Sequence, residues 1–427
     1  MFSIIKLLKG RLYLIIPLLL LFFWAFLSLL KDNFNLLNTV DFPVFYNAGK
    51  NIFTNPDLVY SSSSLYFYLP SFATIFSLLS LIDYAVSQWI FFFILLTFSV
   101  LAMIEFDKIL RLKEVESKFN RFLFLIVLCN GLKIMNTFDY LQPKFIVLYL
   151  ILLFVRREIE TRNSNNEFRL KFLITQLIIL IFALCMVPSL FFILIIYLFN
   201  NVKIKEIFTK NQLKKYILAI VIFFGLNFMF LVYPSLISDF ISRMLVKGSK
   251  SMNIYELTPQ IIIDDQLGFP INTLQIFILI LNLDINLSIP SIIIMIIIAI
   301  LLALLKNKSL EKKIGYIILF SLFFNVFILR NIYIVLNPLL ALLFVVNIKN
   351  IKDYRKTSEY FYFIKQNFLF LIGLICISIL YFLPPIYYIF RLIPITQIIP
   401  LLLMLLIETF IYIVLTTDLY LLRKRSF

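Results

Sequence analysis

The sequence predicts an all-α polytopic membrane protein, a bundle of about 12 transmembrane helices with short juxtamembrane helices at the outer leaflet. Three observations predict it. Hydrophobic residues make up 62% of the 427 positions, charged residues only 15%, and the mean hydropathy is +1.00, a balance that an ordinary water-soluble enzyme does not carry. Apolar runs recur from end to end, each near the roughly 20 residues that a helix needs to cross about 30 Å of hydrocarbon. The net charge of +16 is gathered into short basic clusters between those runs, which argues against a nucleic-acid face and for contact with membrane lipids.

The clusters set the topology. They fall at residues 6–11, 108–121, 156–171, 203–215, 306–313, 349–365 and 423–425 and hold most of the 39 Lys and Arg residues. By the positive-inside rule they are cytoplasmic, so the chain crosses out and back between consecutive clusters and both termini lie inside. The first run, 12–30, follows Lys6, Lys9 and Arg11 as a signal peptide would. It lacks a small-residue cleavage site and reads as a retained span. The remaining spans are expected at 85–105, 121–135, 141–155, 170–184, 187–199, 216–233, 289–305, 315–329, 332–346, 367–383 and 398–420. Two apolar stretches, 70–81 and 271–283, are too short to cross and read as helices lying in the outer leaflet. They belong to the two large outer loops, 31–84 and 234–288, of a single integral domain covering 1–427. The face on which those loops lie should carry the function, and the site should face outside the cell membrane.

What is missing narrows the chemistry. With no histidine in the chain, imidazole bases, His metal ligands and a Ser/His/Asp triad are all excluded. Cys129, Cys185 and Cys376 sit singly in apolar segments and read as packing residues. No phosphate-cradling glycine loop appears among 8 glycines, and neither a metal-ligand cluster nor a cofactor motif is present.

The first outer loop carries the most distinctive pattern. It begins "DFPVFYNAGKNIFTNPDLVYSSSSLYFYLP" and runs into a short helix and a Trp-bearing span. The pattern is borne by Asp41, Val44, Phe45, Tyr46, Ala48, Val59, Tyr60, Tyr66, Tyr68, Pro70 and Trp89. This ordered set resembles glycosyltransferase family 87, the membrane mannosyltransferase-like enzymes of the GT-C superfamily. Further on, "NTFDYLQPKF" resembles that family's Gly-Gln-x-Asn outer turn, with Gln142 at the Gln position and no glycine before it. "LCMVPSLFFILIIYLF" keeps the proline of a Lys-x-x-P segment as Pro188, without the lysine. "RNIYIVLNPLLALL" resembles a late polar-aromatic turn.

The resemblance implies a GT-C-like bundle. It implies an inverting hexosyltransferase, with mannose the leading sugar, that draws on a polyprenyl-phosphate-linked donor and serves a glycolipid, glycan or protein acceptor. Such a reaction needs a base for the acceptor hydroxyl and a cradle for the departing phosphate. Asp41 is the matched catalytic position. On position alone it reads as a helix cap, with Pro43 just inside the helix; the family pattern reverses that order. Asp139, in the turn before the fourth span, reads either as a turn former or as a substrate ligand. Arg330 is the preferred donor-phosphate ligand, ahead of Lys144 and Lys133, with Arg391 and Arg243 as outer alternatives and membrane-surface snorkelling as the bland reading of the lysines. Tyr46, Tyr60 and Tyr68 are candidates to stack on sugar rings, against an interfacial aromatic belt. Glu408, deep in the last span, receives no role.

Two other classes compete. A secondary transporter or lipid flippase would carry broken helices and polar residues at mid-bilayer and an internal inverted repeat. A lipid-glycan polymerase or ligase would carry a larger outer loop rich in Arg and His.

Overall fold

The computed structural model describes residues 12–31, 41–61, 66–113, 121–122, 125, 131–163, 170–250, 288–305 and 309–324. The spans expected at 332–346, 367–383 and 398–420, the short segment 271–283, and Arg330, Arg391 and Glu408 lie outside them, as does the side chain of Lys133. Helix dominates, and no strand occurs among the described residues. The helices are α1 (Leu12–Lys31), α2 (Phe42–Asn51), α3 (Pro70–Leu79), α4 (Tyr84–Leu112), α5 (Gly131–Asp139), α6 (Lys144–Asn163), α7 (Leu170–Met186), α8 (Phe191–Phe199), α9 (Lys210–Leu226), α10 (Met229–Val232), α11 (Ser235–Lys250), α12 (Ser288–Leu304) and α13 (Leu310–Phe324).

Two of these, α1 and α4, are long and apolar enough to cross a membrane. The most extensive packing is α4 against α6, flanked by α1 on α5, α6 on α7, and α8 on α12 and α13. The short stretch after residue 70 is indeed a separate ten-residue helix, α3, opened by Pro70 at its first turn. It packs against α2 through a cluster of rings. Phe72 and Phe76 lie 4.9 Å apart, Phe45 meets them at 5.3 and 5.4 Å, and Phe91 of α4 closes the cluster 4.8 Å from Phe76. Gly49 permits that approach. A Cβ there would sit 2.5 Å from the Phe76 carbonyl carbon, so the two backbones touch where only hydrogen fits.

Several span boundaries move for local reasons. The stretch expected at 187–199 is a turn of 3-10 helix, Pro188–Leu190, followed by nine residues of α8. Proline removes a donor, so α7 ends before it and the chain reverses. The stretch expected at 216–233 starts earlier, at Lys210, and breaks at Asn227 between α9 and α10. Leu141 and Gln142 belong to a turn, and α6 runs on past residue 155 to Asn163. Residues 131–135 of the span expected at 121–135 lie in α5, which runs on to Asp139 and is ended by the turn at 140–143.

Three of the basic clusters converge at one end of the bundle. Lys113 after α4 and Arg162 of α6 both reach Glu311 of α13, the latter at 3.4 Å. Arg156 of α6 pairs with Glu105 of α4. Close by, Asp107 accepts from Tyr13 at 2.8 Å and pairs with Arg111 at 2.7 Å. Lys313, fully buried, donates to Asn200 Oδ1, Asn201 Oδ1 and the Ala303 carbonyl at 2.7 to 2.8 Å. The other end of α4, about 40 Å away along its 29 residues, carries Tyr84 against Phe42 and Tyr46.

Candidate functional site

Asp41 and Asp83 each precede a helix at this second end, and they use that position oppositely. Asp83 caps α4, its Oδ1 accepting from the Ala85 N–H at 3.0 Å and the Val86 N–H at 3.3 Å. Asp41 makes no side-chain capping bond. The start of α2 is served by the Asp41 carbonyl oxygen, which accepts from Val44 at 3.1 Å and Phe45 at 3.3 Å, and by Pro43, which has no N–H to satisfy. The carboxylate is left for other partners.

Its partner comes from a turn 101 residues along the chain. At the end of α5 the Gln142 N–H donates to the Thr137 carbonyl at 3.0 Å and the Leu141 N–H to the Phe138 carbonyl at 3.1 Å. This crossed pair of bonds is the Schellman arrangement, which needs a left-handed residue at its apex. Leu141 supplies it at φ 49°, where glycine is usual. A leucine thus holds a backbone conformation that glycine adopts more readily. Pro143 follows, disfavours helix at Gln142 and opens α6, so the chain reverses sharply with Gln142 at its corner.

From that corner Gln142 Nε2 donates to Asp41 Oδ2, and Lys144 Nζ, on the first residue of α6, donates to Gln142 Oε1. Gln142 and Lys144 are 6% and 5% exposed, whereas Asp41 is half-buried. Asp41 Oδ1 makes no hydrogen bond to any described residue. Asp139 is buried in the last turn of α5 and makes no hydrogen bond to Asp41 among the described residues.

The tyrosines divide. The Tyr60 hydroxyl donates to the Tyr68 carbonyl at 2.7 Å, and the Tyr46 hydroxyl to the Ile82 carbonyl at 2.9 Å, so both tie backbone to backbone. Tyr68 is different: burial first, and then the negative charge of Asp41, push its hydroxyl far above the ordinary tyrosine range. It stays a neutral donor beside the carboxylate. Next to Tyr46 the end of α3, the loop after it and the start of α4 expose Leu78, Leu81, Ile82 and Val86 as an apolar shoulder, with Leu81 83% exposed. Arg243 of α11 donates to the Ser61 carbonyl, which ties this helix to the segment between α2 and α3.

One polar node was not picked out from the sequence. Asn227, fully buried at the break between α9 and α10, accepts from the Ser71 N–H at 3.2 Å and lies 3.4 Å from Cys185 Sγ, while the Cys185 carbonyl accepts from the Leu69 N–H at 3.0 Å. It fixes the start of α3 to α7 and α9. An asparagine inside an apolar run was the one signal that could have found it.

The arrangement offers one carboxylate with an oxygen oriented by Gln142 and a second that no described residue engages, a neutral phenol and a nearby ammonium. It can take a proton and steady an anion. No group of three His, Cys, Asp or Glu side chains suited to a metal ion occurs among the described residues. No protein family matches the chain, and no curated protein or solved structure does either.

Proposed function

We propose that the protein is an inverting membrane glycosyltransferase with a GT-C-like bundle of about 12 spans. Both termini are cytoplasmic, and the site faces the outside of the cell membrane. It moves a hexose, mannose first, from a polyprenyl-phosphate donor to a glycolipid, glycan or protein. The acceptor hydroxyl oxygen attacks the anomeric carbon and its proton passes to Asp41 Oδ1. The bond from that carbon to the phosphate oxygen breaks, and the polyprenyl phosphate leaves with the electron pair. Tyr68 is placed for the sugar or phosphate and Arg330 is the further donor ligand, whereas Lys144 and Asp139 are buried and are not direct ligands in this reading.

The observation that carries this reading is that Asp41 leaves its own helix uncapped by its side chain and is oriented by Gln142 instead. A carboxylate serving only the fold would cap, as Asp83 does. Support for the topology comes from the convergence of three basic clusters at the end of the bundle remote from Asp41. A transporter would break its helices near mid-bilayer, whereas the break at Asn227 follows 17 residues of α9, about 25 Å from the basic end.

The test is sugar transfer in proteoliposomes from a polyprenyl-phosphate hexose. Asp41→Asn is expected to insert and fold as the wild type does and to lose about 10²- to 10⁴-fold in turnover. Wild-type turnover by that variant removes Asp41 as the base.

A further inference from the structure

We propose that Gln142 and Lys144 are positioning residues that act on the reaction only through Asp41: the ammonium of Lys144 fixes which end of the Gln142 amide faces the carboxylate. The inference rests on the reading of Asp41 as the base. An amide side chain has one donating and one accepting end, and the two are nearly the same shape, so packing alone orients it weakly. Lys144 can only donate. Its bond to Oε1 therefore turns Nε2 toward Asp41, and the reversed amide would set oxygen against carboxylate. Both residues are nine-tenths buried, whereas Asp41, the third member of the relay, is half-buried.

The relay has a consequence for the proton. The N–H on Oδ2 takes one of its lone pairs and lowers its basicity, so Oδ1 is the more basic oxygen and the one that takes the proton of an acceptor hydroxyl. The backbone supports this choice. Leu141 in the left-handed region and Pro143 after it hold the corner from which Gln142 reaches across. Lys144 thereby changes role, from a ligand for the donor phosphate to a charge that acts two groups away.

Steady-state turnover of the full chain in proteoliposomes separates these roles. Gln142→Met, which keeps the volume and loses both bonds, is expected to lower kcat by about 10²-fold. KM for donor and acceptor should stay within about twofold, because a positioning residue touches neither. Gln142→Glu keeps the volume and the bond from Lys144, loses the bond to Asp41 and sets a second carboxylate against it. It should fall as far, which guards against a packing effect. Lys144→Met should lower kcat less, and adding it to Gln142→Met should change nothing further. A multiplicative loss in that double variant, or a rise in donor KM with kcat kept, overturns the inference for Lys144 in favour of a phosphate contact. Wild-type kcat in Gln142→Met overturns it outright. If Asp41→Asn keeps its turnover, or the wild type transfers no hexose, the functional reading itself falls. Unfolding temperatures then decide the contact alone, since Asp41→Ala and Gln142→Met must be non-additive, and additive losses overturn it.

Discussion

A single torsion decides what Gln142 can reach. Leu141 is fully buried and yet left-handed, a conformation that costs a residue with a Cβ about 1–2 kcal/mol. Removing its side chain should destabilise the protein by roughly 2–5 kcal/mol through the cavity it leaves. The order of two truncations is the sharper expectation. Leu141→Gly should unfold at a higher temperature than Leu141→Ala, by about 1 kcal/mol, the reverse of their order in an ordinary helix. Thermal unfolding in one detergent measures both, and the ordinary order would mean that the backbone at the corner is not left-handed. None of this could be read from residue types, because leucine gives no notice of positive φ. Asp41 and Asp83 make the same point: each precedes a helix, and only the geometry separates a cap from a free carboxylate.

At the scale of elements, more was legible. The length of the stretch after residue 70 and the proline that opens it identified α3 as a short helix, and Gln142 was picked out in the turn before α6. The reversal before Pro188 was expected and only its boundaries moved, whereas the helix break at Asn227 was not anticipated, since an apolar run says little about where backbone hydrogen bonds stop. The tight crossing of α2 and α3 depends on Gly49. Alanine there should gain up to about 1 kcal/mol in helix propensity but meet the Phe76 carbonyl carbon at 2.5 Å. Backbone cannot give way as a side chain can, so Gly49→Ala is expected to cost a net 1–3 kcal/mol, about the usual penalty of overpacking. Because α2 begins at Asp41, turnover should fall together with the unfolding temperature. An unfolding temperature at or above that of the wild type would show the crossing to be looser than described.

For the whole molecule, charge distribution predicted that the basic clusters share a side, and three of the seven meet at one end, although it did not predict which acid would bind them. Glu311 is almost wholly buried between Lys113 and Arg162, a junction of three clusters that no spacing rule reveals. The arrangement has a direct check in a background where Cys129, Cys185 and Cys376 are replaced by alanine. Cysteine at Asp57, which is exposed beside α2, should react with a membrane-impermeant maleimide in intact cells, and cysteine at Arg162 only after permeabilisation. The opposite pattern would invert the proposed topology and with it the face of the site. The shoulder of Leu78, Leu81, Ile82 and Val86 has a kinetic corollary if the substrate is a long isoprenoid. Encounters would then occur by sliding within the lipid sheet, so the relevant concentration is moles of donor per mole of amphiphile, not per litre. Extra detergent, at constant enzyme and constant donor, should slow the reaction by surface dilution.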